Sequence, residues 1–408
     1  MQKNKVELLA PAGDMEKLKT ALHFGADAVY FAGKNYGLRA MSSNFSEEEL
    51  EEAIKLVHSK NKKAYITLNV YARNKDFDNL PEYVKYLQKI GIDAVIISDL
   101  GIFDIVKTNA PKLEIHISTQ ANTTNKYSAS FYHKLGASRV VLARELSIEE
   151  IIEIKKHNPT LELEAFVHGA MCISYSGRCL LSNYLTGRDS NHGECVQACR
   201  WKYFISEESR PNEKMEIQED NNGTYILNSK DMCLIEYIDK IIQAGLDSFK
   251  IEGRMKSPYY VATVINAYRR AIDSYYEQID QGKKYQLDKS LKEELLKASH
   301  RDYTTGFMFS DNNIKQNLES AAQGQTSKFI AVVKEVEKDR ILVEMRNRFI
   351  KGDELEILSP GTRFCDKIKI EKMIDSKGRE IEDAKNVCEL VWIYTNTKDI
   401  QPLDILRK

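Results

Sequence analysis

The stretch from Glu164 to Cys199, EAFVHGAMCISYSGRCLLSNYLTGRDSNHGECVQAC, begins as a strand and then leaves every regular pattern. Leu163–Val167 is strand-like, and it runs almost directly into Cys172. Four of the seven cysteines fall in this stretch, at Cys172, Cys179, Cys195 and Cys199, whereas Cys233, Cys365 and Cys388 lie far apart. Gly169, Gly177, Gly187 and Gly193 let the backbone fold tightly around something small. Four thiolates converging from one loop are what a structural zinc or an iron–sulfur cluster requires. Only Cys195 and Cys199, with three residues between them, have the spacing of a zinc knuckle. Six residues separate Cys172 from Cys179, which suits a bulkier [4Fe–4S] cubane better than zinc. The alternatives are two disulfides or ordinary buried thiols. Disulfides are disfavoured, because the first residues, MQKNKVELLAPAG, hold an apolar run too short for a secretory leader.

Working outward, short apolar runs alternate with amphipathic stretches from Glu7 to about Arg254. The strand candidates are Glu7–Pro11, Ala28–Ala32, Ala64–Val70, Ala94–Ser98, Glu114–Ser118, Arg139–Ala143, Leu163–Val167 and Phe249–Ile251. Asp14, Ser46 and Ser147 each precede a first helical turn that contains Glu, as helix caps do. Eight βα units predict a (β/α)8 barrel over residues 1–280. An open doubly wound sheet would also alternate, but LLAPAGD lacks the glycines of a dinucleotide fingerprint. The seventh unit carries an insertion, residues 169–228. It holds the cysteines and three strand-like pieces, Lys202–Ser206, Met215–Glu219 and Thr224–Leu227, with a helix expected near Asp231–Ala244. Residues 281–326 read as a helical connector and residues 327–408 as a small antiparallel β-barrel domain.

Period two sorts the strand residues by face. Glu164, Phe166 and His168 share one face of the seventh strand, and Lys250, Glu252 and Arg254 share one face of the eighth. His116, Ser118 and Gln120 point the same way in the fifth, and Thr67 and Asn69 in the third. A lumen built only for stability is filled with branched aliphatics, so this polar set predicts a site. The competing account is an internal ion-pair network that merely satisfies buried charge. Arg39, Arg73 and Arg144 follow the second, third and sixth strands, where guanidinium forks can grip a carboxylate at the barrel mouth.

The chain has 408 residues, 42% hydrophobic and 29% charged, and no apolar stretch long enough to span a bilayer. No membrane partner is expected, and a cytoplasmic location is. The net charge of −1 gives no basic surplus, so any RNA contact must come from local patches or from a partner protein. Arg188, Arg200, Lys202, Lys256, Arg269, Arg270 and Arg301 are candidates for phosphate contact. Tyr175, Tyr184, Trp201 and Tyr203 could stack on nucleobases or shield the cysteines from water.

The run from Glu164 to Ser182 resembles the signature of the collagenase-like peptidases, unclassified peptidase family 32. Its fixed positions are filled by Glu164, Phe166, Gly169, Ala170, Met171, Cys172, Gly177, Cys179, Leu181 and Ser182. LLAPAG, RAMSSNFS, ISTQAN, LARELS, NSKDMC and KIEGRMKSP are similar to the family elsewhere in the chain. The resemblance implies oxygen-independent hydroxylation by a four-cysteine [4Fe–4S] protein. The substrate it implies is a tRNA wobble uridine, with prephenate as hydroxyl source, or alternatively a ribosomal-RNA cytidine. On that reading Cys172, Cys179, Cys195 and Cys199 hold the cluster. Arg39, Arg73, Gln120, Arg144 and Arg254 bind the dicarboxylate, and His168, Glu164 and Lys250 serve the chemistry. The family name implies proteolysis instead, and a zinc-stabilised binding scaffold is a third reading. A partner subunit or a homo-oligomer is compatible with all three.

Overall fold

Short apolar strands leave backbone N–H and C=O groups that must be paired, and strands apolar on both faces need cover on both. The computed structural model meets both demands with a closed parallel barrel. It describes residues 5–34, 36, 44–172, 174–201, 219–220, 223–224, 230–309 and 324–408. The barrel strands are β1 (Glu7–Pro11), β2 (Ala28–Phe31), β3 (Lys63–Leu68), β4 (Ala94–Ile97), β5 (Glu114–Ile117), β6 (Arg139–Val141), β7 (Glu162–Ala170) and β8 (Ser248–Ile251). Each pairs in parallel with the next, and β8 closes the ring against both β1 (Leu8↔Phe249) and β7 (Ala165↔Phe249). Closure rules out the open doubly wound sheet.

The helices pack their apolar faces on the outside of this ring. Asp14 caps Met15–His23 by accepting from the Lys17 N–H, and Ser46 and Ser147 form capping boxes with Glu49 and Glu150. After β8, the Ser257 side chain accepts from the Tyr260 N–H, and Pro258 opens a helix that runs to Asp280.

The seventh unit departs from expectation in length. β7 continues to Ala170 because a short strand, Asp231–Cys233, pairs antiparallel with its end (Asp231↔Ala170, Cys233↔His168). The helix expected near Asp231–Ala244 is therefore confined to Ile238–Gln243. Of the three strand-like pieces of the insertion, all but Glu219 and Thr224 lie outside the described residues, where Glu219–Asp220 pairs with Gly223–Thr224. In the expected connector the helix is Ser290–Leu296, and its Leu291 and Leu295 pack into the barrel's own core.

Residues from Phe329 onward form a second sheet. Its eight antiparallel strands run from Lys367–Lys369 at one edge, through the central pair Phe329–Val336 and Arg340–Met345, to Glu380–Ile381 at the other. Ile341, Val343, Leu355, Ile357, Val391 and Ile393 meet in one core there. The two edges do not pair, so the barrel expected here is an open sheet among the described residues.

A buried charge cluster joins the two parts. Arg407, fully buried on the second sheet, donates to both carboxylate oxygens of Glu294 on Ser290–Leu296, one of them at 2.8 Å, and to Glu356 at 2.8 Å. Lys297 bridges the same two acids, at 3.1 Å and 2.7 Å. Removing one member of such a cluster strands the opposite charge in a poorly solvated place. Arg407→Leu is expected to lower stability by about 3–5 kcal/mol, measured as a reduced midpoint in urea denaturation followed by circular dichroism.

Candidate active site at the barrel mouth

The lower half of the lumen is a charge lattice. Arg139, at the start of β6, reaches Glu7 on β1 at 2.6 Å, Glu162 at 2.7 Å and Glu164 at 3.0 Å. The Tyr65 hydroxyl donates to Glu7 at 2.7 Å, and Lys250 on β8 donates to Glu164 at 2.8 Å. Lys250 also lies over the rings of Tyr30 (4.5 Å) and Phe166 (5.5 Å). Burial alone would raise the Glu164 carboxyl, but Lys250 and Arg139 outweigh it and hold the group at about 2. Burial pushes the His116 imidazole down, towards its neutral form. Sorting β6 by period two would have found Arg139, which shares the face of Val141 and Ala143.

Above this lattice the polar residues face the C-terminal opening, where the βα loops gather. Arg254 is buried and donates to Asn44 at 2.8 Å and Thr67 at 3.4 Å. Arg144 lies over the Phe166 ring at 4.0 Å, donates to the Ala170 carbonyl at 3.2 Å, and sits 3.7 Å from Glu252. The Ala170 carbonyl it binds lies two residues before Cys172, at the foot of the cysteine excursion. Asn69 donates to Ser118 at 3.2 Å, and the same hydroxyl accepts from the Gln120 N–H.

Two expectations for the mouth and one for phosphate contact need correction. His168 does not face the lumen. The β7–β8 register slips between Lys250 and Ile251, so His168 pairs with Ile251 and Val167 has no partner in β8. That turns His168 outward, against Tyr260 and Tyr268 of Pro258–Asp280 and against Tyr303, with ring centroids 6.0, 5.5 and 5.3 Å away. Both its ring nitrogens are buried without a hydrogen-bond partner, and burial pushes the imidazole down to about 3. Arg73 is an exposed clasp rather than a mouth residue, paired with Asp189 of the cysteine excursion at 3.1 Å. Arg269, Arg270 and Arg301 are occupied structurally, by Asp27 and Asp273, by the carbonyls of Ser359, Pro360 and Gly361, and by Asp231. Arg39, Lys202 and Tyr203 lie outside the described residues.

The cysteine excursion is docked over this mouth by named contacts. Beyond the Arg73 pair, Asn191 accepts from the Tyr71 N–H at 2.9 Å, and His192 bonds Asp76 at 3.2 Å, so His192 is tied to the β3 loop. Glu145, after β6, accepts from the Ser176 N–H at 2.9 Å. Gly177, at φ +75°, lies so close that a Cβ there would meet the Gln120 carbonyl oxygen at 2.3 Å.

None of the seven cysteines is in a disulfide, so the disulfide alternative is not realised. Cys172 and Cys179 hydrogen-bond to each other. That contact, ahead of burial, raises Cys172 far above the ordinary thiol range. The Cys172 bond, with Ser174, the Leu181 backbone and Ser190, outweighs burial and lowers Cys179 to about 5. Cys195 accepts from Ser182 at 3.8 Å, and Cys199 lies in the turn Ala198–Arg200. Among the described residues the excursion has no three ligand atoms within 4.8 Å of one another. A closed zinc site with Zn–S of about 2.3 Å would draw its sulfurs to about 3.8 Å. Four cysteines on one glycine-rich loop, none of them in a disulfide, offer the donor set of an iron–sulfur cluster.

The fold and site define a (β/α)8 barrel with a four-cysteine excursion over a cationic mouth. The model of Peptidase family U32 matches residues 13–318, and that of the Peptidase family U32 C-terminal domain matches residues 325–407. The chain belongs to this family. It is 39% identical to tRNA hydroxylation protein P1 of Bacillus subtilis, over 99% of this chain and 95% of that protein. It is 36% identical to tRNA hydroxylation protein P of Escherichia coli, over 95% and 93%. With the 23S rRNA 5-hydroxycytidine C2501 synthase of Escherichia coli it shares 34% identity, over 67% of this chain and 40% of that protein.

The Glu164 carboxyl, held at about 2 in the folded chain against an ordinary 4.5, stabilises the fold when ionised. That contribution is complete above pH 4.5 and is lost as the pH falls towards 2. It amounts to about 3 kcal/mol. Urea denaturation across this range should show a steeper loss for the wild type than for Glu164→Gln, which is less stable at neutral pH but flatter with pH.

Proposed function

We propose that this chain is a tRNA-modifying enzyme that converts a wobble uridine to 5-hydroxyuridine without oxygen, with prephenate as hydroxyl source. The observation that carries the reading is Arg144, which sits beside Glu252 at the mouth and holds the Ala170 carbonyl two residues before Cys172. The likeness to tRNA hydroxylation proteins over almost the whole chain supports it from a second side. The rRNA synthase is matched over a smaller share of its length, so tRNA is the substrate argued here. A tRNA substrate makes the cytoplasm the place of work.

Cys172, Cys179, Cys195 and Cys199 would hold a [4Fe–4S] cluster, which supplies one-electron or Lewis-acid chemistry beside the mouth. The chain's own residues bind and orient. Arg144 and Arg254 present guanidinium forks to the two carboxylates of prephenate. Gln120, Asn69 and Ser118 offer neutral hydrogen bonds around it, while Glu252 fixes Arg144. Glu164 anchors Lys250 beneath the mouth, and the Tyr30 and Phe166 rings beside that ammonium limit water from below.

Proteolysis would need a thiolate activated by a neighbouring imidazole. His168 is turned away among tyrosines, and Cys172 bonds Cys179 instead. Cys172 and His168 therefore form no thiol–imidazole pair.

Protein isolated without oxygen is expected to be brown, with iron and sulfide in equal amounts. Cys172→Ala should lose both, and a colourless protein carrying only zinc would overturn the reading. Arg144→Ala should raise the KM for prephenate about 10- to 100-fold, the loss of a charge-assisted contact, with iron content unchanged. Mass spectrometry of tRNA nucleosides from cells lacking the gene should show no 5-hydroxyuridine derivatives.

A further inference from the structure

Among the described residues, the aromatic side chains of the excursion stand in solvent. Tyr175 is 64% exposed, Tyr184 85% and Trp201 43%. Tyr71, 58% exposed, is held on the same side by its N–H bond to Asn191. These rings are carried on fixed backbone rather than on a loose loop. Tyr175 precedes Ser176, which is tied to Glu145. Tyr184 lies in Leu181–Thr186, where the Thr186 hydroxyl donates to the Ser182 carbonyl at 2.7 Å and Ser182 reaches Cys195. The Trp201 N–H donates to the Ala198 carbonyl at 3.0 Å. Exposed cations lie near them along the chain, Arg178 and Arg188 in the excursion and Lys75 four residues after Tyr71.

We propose that this rim is a stacking platform for single-stranded RNA, receiving the bases that flank the target pyrimidine when it is drawn into the barrel mouth. The proposal rests on the RNA-hydroxylation reading and names how that substrate is held. A ring carbon inside a stacked loop cannot approach groups recessed in a barrel, so the target base has to leave its stack. Its neighbours then lose stacking, and flat, solvent-facing aromatic rings replace it whatever the sequence. Cations among the rings meet the phosphates, in a chain whose net charge of −1 offers no general attraction for RNA. A protein partner would favour a continuous apolar patch. Along the chain the exposed polar residues Arg178, Asn183 and Arg188 interleave with the rings and with exposed Leu180 and Leu185, a mixed surface rather than an apolar one.

The test measures binding, not hydroxylation. A fluorescently labelled, unmodified anticodon-arm hairpin is titrated with the full-length protein, and a blunt RNA duplex of the same stem serves as comparison. Tyr184→Ala and Tyr175→Ala are each expected to weaken hairpin binding about 5- to 100-fold. Tyr184→Trp should retain it, and duplex binding should be weaker and indifferent to all three changes. Iron content and the thermal midpoint of the variants confirm that the excursion is intact. Wild-type affinity in both alanine variants would overturn the proposal. So would an equal loss on hairpin and duplex, or a loss of self-association in sedimentation with RNA binding untouched. A protein that grips the hairpin through these rings yet never hydroxylates it would leave the platform standing and overturn the functional reading.

Discussion

A one-residue slip between β7 and β8 governs the architecture of the site. Below it, ladder and side-chain alternation agree, and Glu164 and Lys250 meet across the lumen. At the slip the Val167 carbonyl is taken by the Tyr268 hydroxyl at 2.9 Å and the Leu234 N–H at 3.0 Å. Those two bonds remove the cost of an unpaired buried carbonyl and commit the end of β7 to a different set of neighbours. β7 can then run on to Ala170, whose carbonyl accepts from Arg144, two residues before Cys172.

The excursion that follows has little apolar surface of its own to bury, and it is held by polar contacts. Three βα loops take part: the β3 loop through Tyr71, Arg73 and Asp76, the β5 loop through Gln120, and the β6 loop through Arg144 and Glu145. Exposed pairs such as Arg73–Asp189 are individually weak. Spread over three rigid loop bases they define one orientation, which places the sulfurs beside the mouth and turns the aromatic rings to solvent. The charged lattice beneath plays the complementary part. Glu164 and Arg139 are satisfied by each other and by Glu7, Glu162 and Lys250, which fixes the floor of the mouth.

Much of this was legible in the chain itself. Eight apolar pieces at βα spacing predicted a parallel barrel, and the inward face of the eighth strand was read correctly at Lys250 and Arg254. The capping residues Asp14, Ser46 and Ser147 marked their helices to the residue. His168 was misplaced because strict alternation assumes an unbroken ladder, and a bulge depends on the partner strand. Arg139 went unnoticed because its acids come from β1 and β7, far away in sequence. Arg73 was assigned to the mouth from its place after a strand. A loop segment more than a hundred positions away claimed it instead.

By itself, the sequence determined what is periodic or local: strand and helix order, caps, the glycine-punctuated run of sulfur donors, and the lack of a basic surplus. Tertiary structure alone decided which charges meet, which way His168 turns, and that Tyr175, Tyr184 and Trp201 stand outward. Those outcomes follow from closing the ring and docking a long excursion on it. Both depend on distances between residues remote along the chain, which no local pattern encodes.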